Sequence, residues 1–198
     1  MNPSMTDYIL RQPEILKTAF ERRSETIEPL KQLFETHPIK RVYFFGSGTS
    51  HHAARLAAMY FSRYAKVEAS AHEPLLFIDC EAINPSGIYR EGEILAVGIS
   101  QSGTSTSTIE ALEKARRGGC ITMCFSQEKD SHAAKAADYF LPMISEKELV
   151  PPETQGYTAA ILSLYLLAIH LSKEDIAEKE AEARVAGSHW SGQHSRNG

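Results

Sequence analysis

The chain has 198 residues, of which 42% are hydrophobic, and a formal net charge of −4 at pH 7. This length and apolar content suffice for one domain with a sizeable core plus terminal appendages. The acidic balance argues against a nucleic-acid surface, and no apolar run reaches the length that spans a bilayer. The three cysteines, Cys80, Cys120 and Cys124, lack metal-ligand spacing and favour buried thiols in a reducing cytoplasm. No metal or other cofactor is predicted.

Helical and strand-like segments alternate along most of the chain. Residues 6–34 are predicted to form two helical segments, with a break at Glu28-Pro29. Strands are predicted at 42–45, 66–70, 94–99, 120–125 and 139–143, helices at 51–61, 107–117 and 131–137, and a helix or irregular link at 74–77. Repeated strand-helix-strand connections require a parallel sheet with helices on both faces. We therefore predict an α/β fold, a three-layer α-β-α sandwich around a mostly parallel five-stranded sheet.

Two segments of opposite character end the chain. Residues 154–171 are apolar nearly all round, which predicts a helix covered by the sheet plus a second subunit or a second domain. Residues 173–184 are predicted to form a highly charged helix, and residues 187–198 a polar tail that is mobile. The predicted organisation is a helical segment over 1–36, an α/β domain over 37–172, and the charged helix and tail over 173–198.

Two hydroxyl-rich turns connect predicted strands to predicted helices. Residues 100–108 contain seven hydroxyl side chains, and residues 46–50 read Gly-Ser-Gly-Thr-Ser. The unpaired N–H groups and positive dipole end of a helix point into such a turn, and Ser and Thr add donors without a cation, which suits a reversibly bound phosphate. Alternatively, the glycines only permit tight turns and Ser50 or Ser105 is an ordinary N-cap. Because ligands bind at the carboxyl ends of parallel strands, the pair of turns favours one shared site.

These motifs resemble the sugar isomerase (SIS) domain, the flavodoxin-like phosphosugar-binding module of the isomerase half of glucosamine-6-phosphate synthase and of fructosamine-phosphate deglycases. The resemblance is carried by residues 8–14, 46–53, 100–105 and 154–158, and it corresponds to the first lobe of two-lobed members. At Thr104 the synthases commonly carry an acidic residue instead.

The resemblance implies two groups of binding residues for a sugar phosphate. The phosphate is expected to be held by Ser100, Gln101, Ser102 and Ser105, with Gly103 and Thr104 in the same loop. The sugar hydroxyls are expected to contact Thr49 and Ser50, with Ser47 and Gly48 in that loop. Thr106, Ser107 and Thr108 are interpreted as solvated residues of a helix start.

Only a few side chains are candidates for proton transfer. Glu153 precedes the apolar helix in a loop that, by the resemblance, closes over the sugar; it is a candidate base, or else only complements the helix dipole. His52 is a candidate proton relay, as is His51, or else these histidines pack and face solvent. Glu73 follows the second predicted strand and could enter the same crevice.

Two functions from different classes follow. The first is an aldose-ketose isomerase or deglycase that acts on an amino or N-substituted hexose 6-phosphate. The second is a non-catalytic phosphosugar-binding module, such as a sensor or a subunit. The resemblance implies that the catalytic groups of two-lobed members lie mostly in the second lobe, or come from a neighbouring subunit in single-lobe isomerases. A bare apolar surface on helix 154–171 or helix 51–62 therefore predicts a cytoplasmic homodimer or higher oligomer.

Overall fold

The computed structural model describes residues 3–150, 153–172 and 176–193, with side chains as far as residue 184. The elements are α1 (Met5–Glu21), α2 (Arg23–Thr36), β1 (Arg41–Phe45), α3 (Thr49–Tyr60), β2 (Glu68–His72), α4 (Pro74–Cys80), β3 (Ile94–Ile99), α5 (Thr106–Arg117), β4 (Ile121–Ser126), α6 (His132–Ala136), β5 (Tyr139–Pro142), α7 (Gln155–His170) and α8 (Ile176–Gln193). A π-helical turn, Phe61–Ala65, follows α3. Over these described residues, no helix combines the length and apolar character needed to cross a membrane.

The strands form one sheet in the order β2-β1-β3-β4-β5, and every neighbouring pair is parallel. Phe45, the last residue of β1, lies opposite His72 of β2 and Gly98 of β3. The carboxyl ends of these three strands therefore reach the same edge of the sheet. This arrangement confirms the predicted α/β fold with a parallel five-stranded, flavodoxin-like sheet.

Both faces of the sheet are buried, because the central strands alternate apolar side chains between two cores. Val42 and Phe44 of β1 pack into one core together with residues of α2, α3 and α7. Tyr43 and Phe45 pack into the other core with residues of α4 and α5. Period-two alternation with apolar side chains on both faces is typical of a parallel strand covered on both sides. The result is the predicted three-layer sandwich.

The apolar helix α7 is covered inside the chain, which corrects the expectation that a second subunit or domain would be needed. Helices α1, α2 and α3 all pack against it. Leu164 and Leu167 are each 1% exposed, and Ala159 packs with Ile15 and Ala19 of α1. The N-terminal helices thus provide the missing cover. Sequence periodicity could not show this, because the contacts join segments more than a hundred residues apart.

The two N-terminal helices meet at Arg22, so the predicted break at Glu28-Pro29 is wrong. Pro13 and Pro29 both lie inside helices. A proline inside a helix removes one backbone hydrogen bond. Leu30 and Leu33 are each only 2% exposed, and their burial offsets that loss by keeping α2 against the core.

Helix α8 extends beyond the charged helix predicted over residues 173–184, since the helical backbone continues to Gln193. Extending a helix by one residue is far easier than starting one. The first part of the predicted tail is therefore helical, and residues 173–175 and 194–198 lie outside the described residues. Glu180 anchors α8 by accepting from Arg23 Nε at 2.6 Å, with His170 Nε2 2.7 Å away.

Candidate functional site

The two hydroxyl-rich turns meet at the carboxyl edge of the sheet. The first hydroxyl loop (residues 46–50) follows β1, and the second hydroxyl loop (residues 100–105) follows the adjacent strand β3. The first hydroxyl loop also touches the helix that the second loop leads into, because Ser47 Oγ lies 3.1 Å from Ser107 Oγ in the first turn of α5. Both loops thus lie at one edge of the sheet, and we call the space between the N-termini of α3 and α5 at this edge the crevice.

Backbone geometry shapes the first hydroxyl loop. A Cβ atom at Gly46 would lie 2.7 Å from Ser50 Cβ and 2.8 Å from the carbonyl oxygen of Ile99, so the loop touches the end of β3. Gly48 has φ = 58° and is the N-cap of α3. That conformation favours glycine. Ser47 and Gly48 are exposed, and the loop thus presents backbone as well as hydroxyl groups to the crevice.

The second hydroxyl loop is held by backbone hydrogen bonds at both ends. Ser100 N donates to the Phe125 carbonyl at 3.1 Å, and Gly103 N donates to the Ser100 carbonyl at 3.1 Å. Gly103 has φ = 66°, and a Cβ there would lie 2.2 Å from Ser131 Oγ. Ala133 N donates to the Gly103 carbonyl at 3.0 Å. This close approach to α6 requires glycine, and it fixes the loop without using its exposed hydroxyls.

The hydroxyls at the start of α5 form a connected group. Thr108 Oγ1 donates to Ser105 Oγ at 3.1 Å, and Ser107 Oγ lies 3.4 Å from Ser105 Oγ. Thr108 is fully buried. The interpretation of Thr106, Ser107 and Thr108 as solvated is therefore wrong for Thr108, whereas Thr106 is exposed and Ser107 is half-buried. Ser107 contacts a loop sixty positions upstream.

The N-terminus of α5 opens toward the crevice. Ser105 is its N-cap residue, but its side chain makes no capping hydrogen bond. By contrast, Ser131 caps α6 through Ala134 N. Ser105 is thus not the ordinary N-cap that the sequence left as an alternative. Its hydroxyl and the first amides of α5 point where the helix dipole favours an anion. In the second loop, Ser102 Oγ and Thr104 Oγ1 lie 2.8 Å apart and are exposed.

The first turn of α7 forms a third wall. Gln101 is 7% exposed and lies against Gly156, where a Cβ would be 1.8 Å from Gln101 Nε2. Among the described residues, Gln101 Nε2 and Gln155 Oε1 are buried without a hydrogen-bond partner. A buried hydrogen-bond donor or acceptor without a partner destabilises the folded protein unless a ligand or a water molecule bonds to it. Both atoms are therefore candidates for contact with a bound ligand.

Glu153 lies directly before this turn and is half-buried. Burial, followed by the negative charge of Glu148, raises the pKa of the Glu153 carboxyl to about 7. Both of its protonation states are then populated near neutral pH, which suits a group that accepts and returns a proton. The structure thus places Glu153 directly before α7. The first turn of that helix contacts Gln101 of the second hydroxyl loop.

The two neighbouring histidines differ in their surroundings. His52 is exposed, and its ring centroid lies 6.2 Å from that of His51. The His51 side chain is 18% exposed, with Nε2 3.8 Å from Glu73 Oε1. His51 Nδ1 is buried without a partner in the described part of the chain. His51 and Glu73 thus come together at the β2 side of the crevice, whereas His52 is exposed at the start of α3.

A further histidine, which the sequence did not single out, lies behind His51. His72 Nε2 is 2.8 Å from Ser70 Oγ, which also accepts a hydrogen bond from Arg41 at 2.7 Å. His72 Nδ1 lies 3.5 Å from Glu81 Oε2. Burial lowers the pKa of His72 against the opposing effect of Glu81, and the charges of Arg41 and His51 lower it further. A neutral imidazole is therefore favoured there near pH 7.

Among the residues described, no cluster of three or more His, Cys, Asp or Glu side chains has a geometry that could hold a metal ion. The two loops contain neither lysine nor arginine. The two loops of the crevice therefore offer neutral hydrogen-bond donors. The carboxylates beside the crevice, those of Glu73 and Glu153, lie outside these loops.

Residues 37–170 match the model of the SIS domain family, so the fold is that of a SIS domain, a phosphosugar-binding domain. The chain belongs to this family. It is 30% identical over 184 residues to a glutamine-fructose-6-phosphate aminotransferase of Methanocaldococcus jannaschii. The aligned region covers 90% of this chain and 16% of that protein. The enzyme of the same name from Methanococcus maripaludis is 30% identical over 181 residues, covering 89% of this chain and 28% of that protein.

Solved structures show the same fold. The C-terminal domain of glucosamine-fructose-6-phosphate aminotransferase from Francisella tularensis superposes with a TM-score of 0.79 at 23% identity, covering 93% of this chain and 53% of that one. A protein of Escherichia coli CFT073 in complex with arabinose 5-phosphate has a TM-score of 0.64 at 16% identity, covering 94% of this chain and 100% of that one. The chain thus spans about half of the Francisella domain and less of the named relatives.

Sequence reasoning missed Glu148. Its buried carboxylate accepts hydrogen bonds from Thr154 N and Gly156 N, both at 2.9 Å. It reaches the helix start from six residues upstream, outside the local spacing that identifies a capping residue. The Thr154–Thr158 motif marked this turn, but gave no indication of which side chain holds it.

The first prediction concerns the titration of Glu153. Its carboxyl is expected to titrate near pH 7 in a carbon-13 NMR experiment on side-chain-labelled glutamate, with Glu153→Gln assigning the resonance. Since the folded pKa lies above the ordinary 4.5, the contribution of Glu153 to the free energy of unfolding is present below about pH 4.5 and lost as pH rises through about 7. Glu153→Gln should therefore become more stable relative to wild type as pH rises from 5 to 7. A midpoint near 4.5 contradicts this.

Proposed function

We propose that the chain binds an amino or N-substituted hexose 6-phosphate, with the phosphate in the second hydroxyl loop and the sugar along the first. The phosphate partners proposed are Ser100, Gln101, Ser102, Gly103, Thr104 and Ser105. Those for the sugar are Ser47, Gly48, Thr49 and Ser50. The observation that carries the proposal is the Ser47–Ser107 contact of 3.1 Å, since it brings the first hydroxyl loop to the helix N-terminus that directly follows the second.

The chemistry of the crevice supports a sugar phosphate over a simple anion. The start of α5 supplies backbone N–H groups and a positive dipole end for the phosphate. Sugar hydroxyls act as donors and acceptors at once, and serine and threonine hydroxyls match both roles. The buried Gln101 Nε2 and Gln155 Oε1 also offer one donor and one acceptor. Because the loops contain no cation, the dianion is held by hydrogen bonds and can dissociate.

For the reaction, we propose proton transfer of the aldose-ketose isomerase or deglycase type. Such a reaction moves a proton between C1 and C2, and its base must accept and return that proton. Glu153 is proposed as this base, supported by a pKa of about 7 in a half-buried position directly before the turn of α7 that contacts Gln101. His52 is proposed to relay a proton at the start of α3, where the more enclosed His51 is an alternative. The names of the similar aminotransferases and isomerases agree with this class.

The alternative is a phosphosugar-binding module without turnover. This chain matches 53% of the Francisella domain. If the base of such two-lobed relatives lies in the lobe that this chain does not match, binding would occur here without chemistry.

We further propose a homodimer or higher oligomer in the cytoplasm. Of the two helices considered from the sequence, α7 is covered within the chain, but Met59 of α3 is 66% exposed. Leu75 and Leu76 of α4 are 61% and 59% exposed. Adjacent exposed apolar side chains are typical of an interface. The free thiols Cys120 and Cys124, whose pKa burial raises to about 12, suit a reducing compartment.

The second prediction tests the phosphate loop. Ser102→Ala is expected to weaken binding of fructose 6-phosphate about ten- to a hundred-fold, because it removes one hydrogen bond to a charged group. Isothermal titration calorimetry measures this, with Ser86→Ala as a control on an exposed loop away from the crevice. Equal affinities for the Ser102→Ala variant and wild type would contradict the site.

The third prediction concerns proton exchange. The C1 proton of fructose 6-phosphate, or the C2 proton of glucosamine 6-phosphate, is expected to exchange with deuterated water in the presence of the protein, because enolisation requires only a base near that carbon. Proton NMR follows the exchange, which should disappear in Glu153→Gln and slow in His52→Asn. Binding without exchange in the wild type would instead support the non-catalytic module.

The fourth prediction concerns assembly. Light scattering at micromolar concentration should give at least twice the 22.0 kDa chain mass. Leu75→Lys combined with Leu76→Lys should shift the mass toward one chain, because two charges would be buried at an apolar contact. Glu110→Lys, a charge change at an exposed position of α5, serves as the control. A 22.0 kDa particle for the wild type would refute the oligomer.

A further inference from the structure

Glu148 lies in the loop between β5 and α7 and is 8% exposed. Its Oε1 accepts from Thr154 N and from Gly156 N, both at 2.9 Å. Its Oε2 accepts from Thr154 N at 2.9 Å and from Thr154 Oγ1 at 3.0 Å. One buried carboxylate thus binds three donors in the first turn of α7.

This carboxylate provides the cap that the helix does not make for itself. Thr154 is the N-cap residue of α7, and its side chain makes no capping hydrogen bond to the helix. The N-terminus of a helix is the end where a negative charge is stabilised. Hydrogen bonds to an ionised acceptor are about twice as strong as neutral ones. The first turn of α7 is therefore fixed by Glu148.

That turn connects the two parts of the proposed site. Gly156 contacts the Gln101 side chain of the second hydroxyl loop. On the other side, Glu153 is bonded directly to Thr154, whose N–H is held by both Glu148 oxygens. The position of Glu153 relative to the loop thus depends on the turn that Glu148 holds.

We propose that Glu148 is the positioning residue of this site, which holds the start of α7 and thereby places Glu153 beside the second hydroxyl loop. The proposal rests on the proposed function, in which Glu153 transfers the proton. Glu148 acts through Glu153 and through the backbone of α7. It is not assigned any contact with the sugar.

The effect of Glu148 on Glu153 can be separated from the effects of the other charged groups nearby. Its negative charge raises the pKa of Glu153, second to burial. Ionisable groups near this turn include Tyr8 and Arg11 of α1, and Glu146 and Lys147 of the same loop. Tyr8 Oη accepts from Leu149 N at 3.0 Å, and Arg11 forms an ion pair with Glu146. Glu146 is exposed, so it provides a matched control for charge removal in this loop.

The main test compares Glu148→Gln with Glu146→Gln. In Glu148→Gln, the NMR titration midpoint of Glu153 should fall, and the acid limb of the pH profile for proton exchange should move to lower pH by the same amount. Affinity for inorganic phosphate should stay within about twofold, because the second hydroxyl loop has its own backbone bonds to Ser100 and Phe125. Glu146→Gln should leave the midpoint in place. An unchanged midpoint in folded Glu148→Gln, or an equal shift in Glu146→Gln, overturns the proposal.

A second variant covers the case in which Glu148→Gln does not fold. Glu148→Asp keeps the charge but shortens the side chain, so the bonds to Thr154 N and Gly156 N should weaken. Hydrogen exchange at these two amides should become at least about tenfold faster, which corresponds to losing one charge-assisted bond. Unchanged protection of both amides overturns the proposal.

The outcomes also separate this proposal from the proposed function. The titration midpoint and the amide exchange need no sugar, so they test positioning in any case. If the wild type neither binds a sugar phosphate nor exchanges its protons, the proposed function fails while the effect of Glu148 on Glu153 is still measured.

Discussion

The parallel pairing of β1 with β3 is the constraint on which the site depends. The chain adds β2 on one side of β1, then crosses back to β3 and continues outward to β5. Right-handed crossovers then place α3 and α5 on opposite faces of the sheet. Their N-termini meet where the winding changes direction, directly after two neighbouring strands. A change of strand order would separate the two hydroxyl loops, however well each formed by itself.

Close backbone approach follows from that pairing. With β1 and β3 adjacent, the first hydroxyl loop touches the carbonyl of Ile99, which leaves no room for a Cβ at Gly46. Gly103 meets α6 and Gly156 meets Gln101 in the same way. The three glycines thus permit the close backbone contacts around the crevice. Binding groups can then be backbone amides and short hydroxyls, whose positions are set by the fold and cost little conformational entropy to order.

Sequence reasoning predicted those features whose signals are local. The buried strands, the mostly parallel sheet and the two hydroxyl loops follow from apolar runs and turn composition within a few residues. The features that it missed all depend on distant contacts. Ser107 is bonded to a loop sixty positions upstream, α7 is covered by the N-terminal helices, and Glu148 caps α7 from outside the usual spacing. The break at Arg22 was misplaced because packing of α2 outweighed the local effect of Pro29.

The N-terminus of a helix stabilises a negative charge, and two helix N-termini at the crevice differ in the source of that charge. The N-terminus of α7 already holds an anion, the carboxylate of Glu148, so its dipole is neutralised by the chain itself. The N-terminus of α5 has no such internal carboxylate among its described contacts, and Ser105 leaves it uncapped. In the proposed site, the phosphate of a ligand is therefore directed to α5 rather than to α7. Glu148 then has two consequences: it removes a competing anion site, and, together with the larger effect of burial, its charge keeps the Glu153 carboxyl partly protonated near pH 7. Both support the proposed arrangement, in which the phosphate of a phosphosugar lies at α5 and its carbon skeleton extends toward α7.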